Sequence, residues 1–308
     1  MQIQWFPGHM HKARVQIEAL LPNVDLFIEV LDARIPYSSE NPLLRELRGD
    51  KPGLKILNKS DLADPAQTRN WQEHLEQNRT IRARAVSAKE AGTIRKLTTV
   101  CRELVTGSKP VLNAMIVGVP NVGKSTVINI LAGRKIAKTG NEPAVTRGQQ
   151  KVRIGDGLYL YDTPGMLWPN VENPESGYRL AATGAIKDTA IDYADIGFFA
   201  AEFMLNNYPE GLAARFELDE LPTDTMGFME EIGRKKGCLR KGGIVDLDRI
   251  SRIFLTELRS GLCGRVTFET PAMAEAEIAR VIAKREEKAE RAKSEGITRK
   301  QRRKRKRR

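Results

Sequence analysis

The chain has 308 residues, 41% of them hydrophobic, and carries a formal net charge of +12. This length suits about two domains, no apolar run approaches a membrane span, and "MQIQWFPGHMHKARVQ" has no apolar signal-peptide core, so a cytoplasmic protein with no membrane partner is expected. Cys101, Cys238 and Cys263 show neither metal spacing nor a paired framework, which predicts reduced, partly buried thiols.

A first helix is predicted from about His9 to Leu21, with Met10, Ala13, Ile17 and Leu20 near one face and Pro22 ending it. "DLFIEVLDAR" reads as a buried strand with a polar exit at Asp32 and Arg34. "GLKILNKSD" and "IRARAVSAK" are two further strands, followed by a helix from about Thr93 to Val105. "NAMIVGV" is a strand that enters a Gly-rich turn, and Lys124 to Leu131 opens a helix. "KVRIG" and "LYLYDTPG" complete the strands. Alternation of this kind implies an α/β fold with a mainly parallel sheet. After about Ser176 strand signals vanish and helical patterns take over, as in "AIDYADIGFFAAEFMLNNY", "GFMEEIGRK" and "DLDRISRIFLTELRSG". The expected organisation is an α/β domain over residues 1–176, a smaller all-helical domain over 177–271, and a charged helix with a disordered basic tail over 272–308.

Charge is concentrated at the end. In "RKQRRKRKRR", Arg299 to Arg308, nine of ten residues are basic, which leaves only +3 for residues 1–298. Such a block repels itself and predicts disorder in the free protein. It reads as an arm for a polyanion, RNA above all, acting through phosphate contacts and counterion release. The alternative is a solubilising tail.

"GVPNVGKS", 118 to 125, has the phosphate-loop pattern between a strand and a helix. Gly118 and Gly123 permit the tight loop, and Asn121, Val122, Gly123, Lys124, Ser125 and Thr126 form the candidate phosphate-binding set. Lys124 is placed to reach the β- and γ-phosphates and the Ser125 hydroxyl to bind Mg2+. "DTPG" ends the last strand: Asp162 suits the Mg2+ shell, and the Gly165 N–H suits the γ-phosphate. Thr146, in "PAVTRG", is the candidate switch hydroxyl for Mg2+.

"NKSD", 58 to 61, suits guanine. The Asp61 carboxylate accepts from the ring N–H and the exocyclic amine, a donor pair that adenine lacks. The Lys59 stem can cover the base, and Asn58 can tie neighbouring loops together. "SAK", Ser87, Ala88 and Lys89, ends another strand and offers the Ala88 N–H to the guanine carbonyl oxygen. The base-reading motif precedes the phosphate loop in the chain, the reverse of the order in most GTPases. A parallel sheet tolerates this permutation because its termini can lie close together. Asp32 and Arg34 should lie at the ligand edge of the sheet, or form a local structural pair. His74 is expected to be a solvated residue on a surface helix.

"WFPGHM", "DARIP", "NKSD", "SAK", "GVPNVGKS" and "DTPG", in that order, resemble the circularly permuted P-loop GTPases of the YlqF/YawG group over residues 5 to about 170. The resemblance implies a GTPase that cycles between GTP and GDP, binds the maturing large ribosomal subunit and its rRNA, and acts late in assembly. No DNA partner is expected. It implies an apolar residue where other GTPases use a catalytic Gln, and Met166 fits. Asn121 resembles the Asn of potassium-activated GTPases, where K+ adds positive charge at the transition state; it could equally be a loop-bracing amide. The resemblance also points to His9 as the residue that orients the attacking water, with a structural cap or an rRNA contact as its other readings. Two other functions fit the motifs: an RNA-binding module locked by nucleotide with negligible turnover, and a GTPase acting on another RNA.

Overall fold

In the computed structural model, residues 14–15, 17–105, 107, 109–137, 150–163, 173–186 and 192–305 are described. Residues 1–269 make one compact unit and residues 270–308 a second.

The first unit is built on a six-stranded sheet in the order β3-β2-β1-β4-β6-β5. Its strands are β1 (Leu26–Asp32), β2 (Gly53–Asn58), β3 (Ile81–Ala85), β4 (Leu112–Val117), β5 (Gln150–Gly155) and β6 (Leu158–Asp162). All neighbours are parallel except β5, which runs antiparallel to β6. The first strand lies in the middle of the sheet; the chain winds outward to β3, returns to β4 beside β1, then crosses to the other edge at β5 and comes back as β6 between β4 and β5. The reversal lies between β1 and β4, where the carboxyl ends of an open parallel sheet form a ligand crevice.

Strand alternation sets the two cores. Leu26, Ile28 and Val30 point into the larger core with Leu54, Ile56, Ala114 and Ile116. Phe27, Met115 and Val117 point the other way, against Ile17, Val24 and Leu44. The helices around the sheet are α1 (Pro36–Ser39), α2 (Pro42–Arg48), α3 (Pro65–Glu76), α4 (Ala91–Arg95), α5 (Leu97–Leu104) and α6 (Lys124–Ala132). The single helix expected over Thr93–Val105 is two, meeting at Lys96. Asn41 caps α2 by accepting from the Leu43 N–H, with Pro at the first helical position.

The helical region comprises α7 (Pro174–Ala182), α8 (Tyr193–Asn207), α9 (Pro209–Phe216), α10 (Thr225–Lys235) and α11 (Leu247–Ser260). It shares the larger core with the sheet. Phe216, Phe228 and Phe254 meet edge-on or tilted at its centre. Gly197 on α8 lies against Ser251 on α11, where any Cβ would collide. After α11 the chain returns to the sheet. Phe268 N–H donates to the Arg34 carbonyl and Trp71 Nε1 to the Glu269 carbonyl. The Glu269 carboxylate accepts from the Tyr37 and Ser38 N–H groups and the Ser38 hydroxyl. Burial pushes Glu269 up to about 7, against the pull of Arg179.

In the second unit, α12 spans Pro271–Arg305. It continues into the basic block, where charge repulsion predicts disorder. Lys, Arg and Gln lose little on entering a helix, so composition favours its continuation. The three cysteines are free and buried, and burial pushes the Cys101 and Cys263 thiols up to about 12.

Candidate nucleotide and catalytic site

Four strands deliver the motifs to one edge of the sheet. β4 runs into the phosphate loop and β6 ends on Asp162; β2 ends on Asn58 and β3 leads to Ser87. The loop is held open by backbone no bulky residue could adopt in place. Gly123 has φ +94°, and a Cβ there would strike the Asn58 amide. Asn121 takes the left-handed conformation, φ +59°, which Asn tolerates. Val122 is buried in the larger core, and its carbonyl accepts from Asn58 Nδ2 at 2.6 Å. The expected tie between the base-reading and phosphate loops is therefore this hydrogen bond.

Lys124 and Asp162 are both buried, and Nζ lies 3.1 Å from Oδ1. Thr163 fixes the exit of β6 by donating from its hydroxyl to the Ile116 carbonyl at 2.9 Å. Ser125, next to Lys124, opens α6 at the same edge. A hydroxyl and a carboxylate are hard oxygen donors of the kind Mg2+ takes, and the Lys124–Asp162 contact brings their segments together, so the residues fit that ion. Thr146, Gly165, Met166 and His9 lie outside the described residues.

On the base side, Ser87 Oγ donates to Asp61 Oδ1 at 2.8 Å and Lys89 Nζ lies 2.9 Å from Asp61 Oδ2. Burial raises the Asp61 carboxyl, but the hydrogen bonds from Lys89 and Ser87 outweigh it and hold the group below its ordinary value. Lys59, at φ +59°, points its ammonium at Asp32 Oδ2, 2.8 Å away. Arg34 forks onto the same carboxylate through Nη2 at 2.7 Å and Nε at 2.9 Å. Asp32 and Arg34 thus form the structural pair, and the pair also fixes the base-reading Lys59. Burial opposes the charge on Asp32; Arg34 and Lys59 overcome it and hold the carboxyl well below the usual carboxylate range. His74 is half-buried, edge-on to Trp71, rather than solvated.

Three supports brace these loops, and only the first, an amide weighed as a loop brace, is open to a reading of the sequence. Asn121 Nδ2 donates to the Gly184 carbonyl at 2.8 Å, so this amide braces the phosphate loop against the segment after α7. Arg259 donates to the Ala181 and Ala182 carbonyls beside it. Arg265 donates to the Ser60 and Ala63 carbonyls at 2.9 and 3.0 Å, and Val266 N–H to the Leu62 carbonyl, which buttresses the "NKSD" turn. These partners lie more than a hundred residues away or carry no motif of their own.

Comparison with known proteins agrees with this site. Residues 113–208 match the family described as 50S ribosome-binding GTPase. The chain is 43% identical to ribosome biogenesis GTPase A of Bacillus pumilus, over 88% of this chain and 99% of that one. It is 33% identical to ribosome biogenesis GTPase A of Thermotoga maritima, over 87% and 95%. The crystal structure of GNP-bound YlqF from T. maritima superposes with a TM-score of 0.59 at 29% identity, covering 84% of this chain and 98% of that one. Identity sustained over nearly the whole length of such relatives shows that the chain belongs to the ribosome biogenesis GTPase A family, the YlqF group of P-loop GTPases.

Proposed function

We propose that this GTPase binds the maturing large ribosomal subunit and its rRNA in the cytoplasm, acts late in assembly, and hydrolyses GTP faster when bound there. The observation that carries the nucleotide part is the Asn58–Val122 bond, which locks the guanine reader to the phosphate loop before any ligand arrives. The ribosomal part is supported by the names of the relatives and of the matching family.

Asp61 selects guanine, and Lys59 is held in place by Asp32. Lys124 leaves Asp162 for the β- and γ-phosphates when GTP enters. Ser125 and Asp162, with Thr146, would hold Mg2+, which would supply positive charge at the phosphate oxygens. Backbone N–H groups of residues 121–126 and of Gly165 line the phosphates. Met166 offers no strong donor or acceptor to a water, so His9 orients it, and Asn121 would hold a K+ ion, which would supply further positive charge at the transition state. For K+ to bind there, the Asn121 side chain must be shared with or released from Gly184.

Co-sedimentation with large subunits tests the reading. Retention should depend on whether GDP or a non-hydrolysable GTP analogue is bound; absence in every nucleotide state overturns it. Single-turnover hydrolysis on subunits tests the finer roles. His9→Ala should bind GTP and subunits yet lose the stimulated rate, His11→Ala should keep it, and replacing K+ by Na+ should slow the parent.

A further inference from the structure

The outer edge of the sheet carries a positive ledge on β5, the strand beside β6. β5 is its outermost strand, and Lys151 and Arg153 are exposed there. In register they stand opposite Tyr161 and Tyr159 of β6. Lys151 Nζ sits over both rings, 4.7 Å from the Tyr159 centroid and 5.2 Å from that of Tyr161. Arg134 and Lys135, exposed after α6, join Lys151 and Arg153 around an open cavity of about 280 Å³ completed by Ile136 and Val152.

None of these four cations has a carboxylate partner among the described residues, whereas some surface cations elsewhere do, such as Arg45 with Glu40, Lys109 with Asp25 and Arg240 with Asp246. Charged residues on an edge strand also guard against strand pairing. That explains Lys151 and Arg153. It does not explain Arg134 and Lys135, which belong to no strand, or the two rings that seat Lys151. The tyrosines fix an ammonium by cation–π attraction without neutralising it, so less side-chain freedom is lost when an anion arrives.

We infer that this ledge docks the sugar-phosphate backbone of RNA. Several unneutralised cations spread around an open hollow suit a chain of phosphates better than one enclosed anion, and two of them are guanidinium forks matched to phosphate oxygens. A protein partner would want an apolar anchor. The large exposed apolar side chains among the described residues, such as Met226, Leu239, Ile244 and Leu262, all lie elsewhere in the chain. The inference rests on the reading of this GTPase as an RNA-associated one. It adds a place: the β5–β6 strand pair, next to the end that carries Asp162.

The test uses the full chain with Arg134, Lys135, Lys151 and Arg153 all changed to Gln. Anisotropy of a labelled RNA stem-loop is followed over a salt series, with fluorescent GTP binding as the check on folding. The slope of log K against log salt should shrink by about 3, as expected for four phosphate contacts, and affinity at low salt should fall at least about tenfold. GTP affinity should not change. Lys151→Arg with Arg153→Lys should bind RNA like the parent. An unchanged slope and affinity in the Gln variant overturn the ledge, while parental co-sedimentation with large subunits would leave the assembly function standing. Loss of binding to polyglutamate, with RNA binding intact, would assign the ledge to an acidic protein and overturn it equally.

Discussion

Asn58 Nδ2 donates to the Val122 carbonyl at 2.6 Å, while Oδ1 of the same amide is buried with no hydrogen-bond partner among the described residues. The bond fixes which end of the amide faces the phosphate loop, because a carbonyl can only accept. It also explains why Gly123 must lack a side chain. Asn58→Asp keeps the shape and sets a buried carboxylate against that carbonyl. The unmatched acceptors should cost about 2–4 kcal/mol. GTP affinity should fall at least about tenfold, with a lower Tm. Titration with fluorescent GTP checks this; parental affinity would show that the tie does not matter to nucleotide binding.

The Asp61 carboxylate, the proposed acceptor for the base, is ordered by Ser87 and Lys89. Its carboxyl, lowered by those two against burial, is ionised at neutral pH. Asp61→Asn puts a donor where guanine presents a donor. Losing charge-assisted hydrogen bonds of about 1.5–3 kcal/mol should weaken GTP by about ten- to a hundredfold. Xanthine nucleotides, which present an acceptor at that position, should gain relative to GTP. Competition binding with both nucleotides decides it.

The sheet was legible because its strands are nearly continuous apolar runs that end in polar motif residues, as "LFIEVLD" and "LNAMIV" do. The motif spacing then identified the carboxyl edge as the site. Short elements were harder to see. α1 is four residues of "PYSS", and α2 announces itself only through Asn41-Pro42. The distant partners that support the site were not legible at all. Arg265, Arg259 and Gly184 act through backbone carbonyls far away in sequence, and a carbonyl acceptor leaves no residue signature. Asp32 was visible as a strand exit, but its clasp on Lys59 depends on the left-handed turn of Lys59, which its side chain does not announce.

Acid should report on Asp32. Burial disfavours its charge, and Arg34 with Lys59 more than compensates, so the folded-state pKa lies well below the unfolded value of about 3.9. The stabilising contribution is then complete above that value and is lost as pH falls through the folded pKa. Urea unfolding should show stability declining in this acid range. Asp32→Asn should be less stable at neutral pH, since Arg34 and Lys59 lose their buried counter-charge, and its stability should fall less on acidification. Parallel acid limbs for the two proteins would mean that Asp32 is not the titrating clasp.

Arg265 is the prediction with no sequence motif behind it. Its guanidinium holds the Ser60 and Ala63 carbonyls from Nη2 and Nε, on either side of the Leu62 carbonyl held by Val266 N–H. These bonds hold the turn that carries Asp61, although Arg265 lies beyond the last helix of the helical region. Arg265→Ala should therefore free the base-reading loop while leaving the phosphate loop and its Lys124–Asp162 pair intact. The two lost bonds, each worth about 1.5 kcal/mol at the low end for a charged donor, together amount to about 3 kcal/mol. Solvent exposure of one side of the guanidinium should bring it nearer to 1–2 kcal/mol, about a tenfold loss of GTP affinity. The distinguishing sign is selectivity. Weakening should be larger for GTP than for ITP, which keeps the ring N–H but lacks the exocyclic amine and so makes only one of the two hydrogen bonds to Asp61. Equal weakening of GTP and ITP would point to general destabilisation instead. Arg265→Lys, which can reach one carbonyl but cannot fork to two, should fall between parent and Ala.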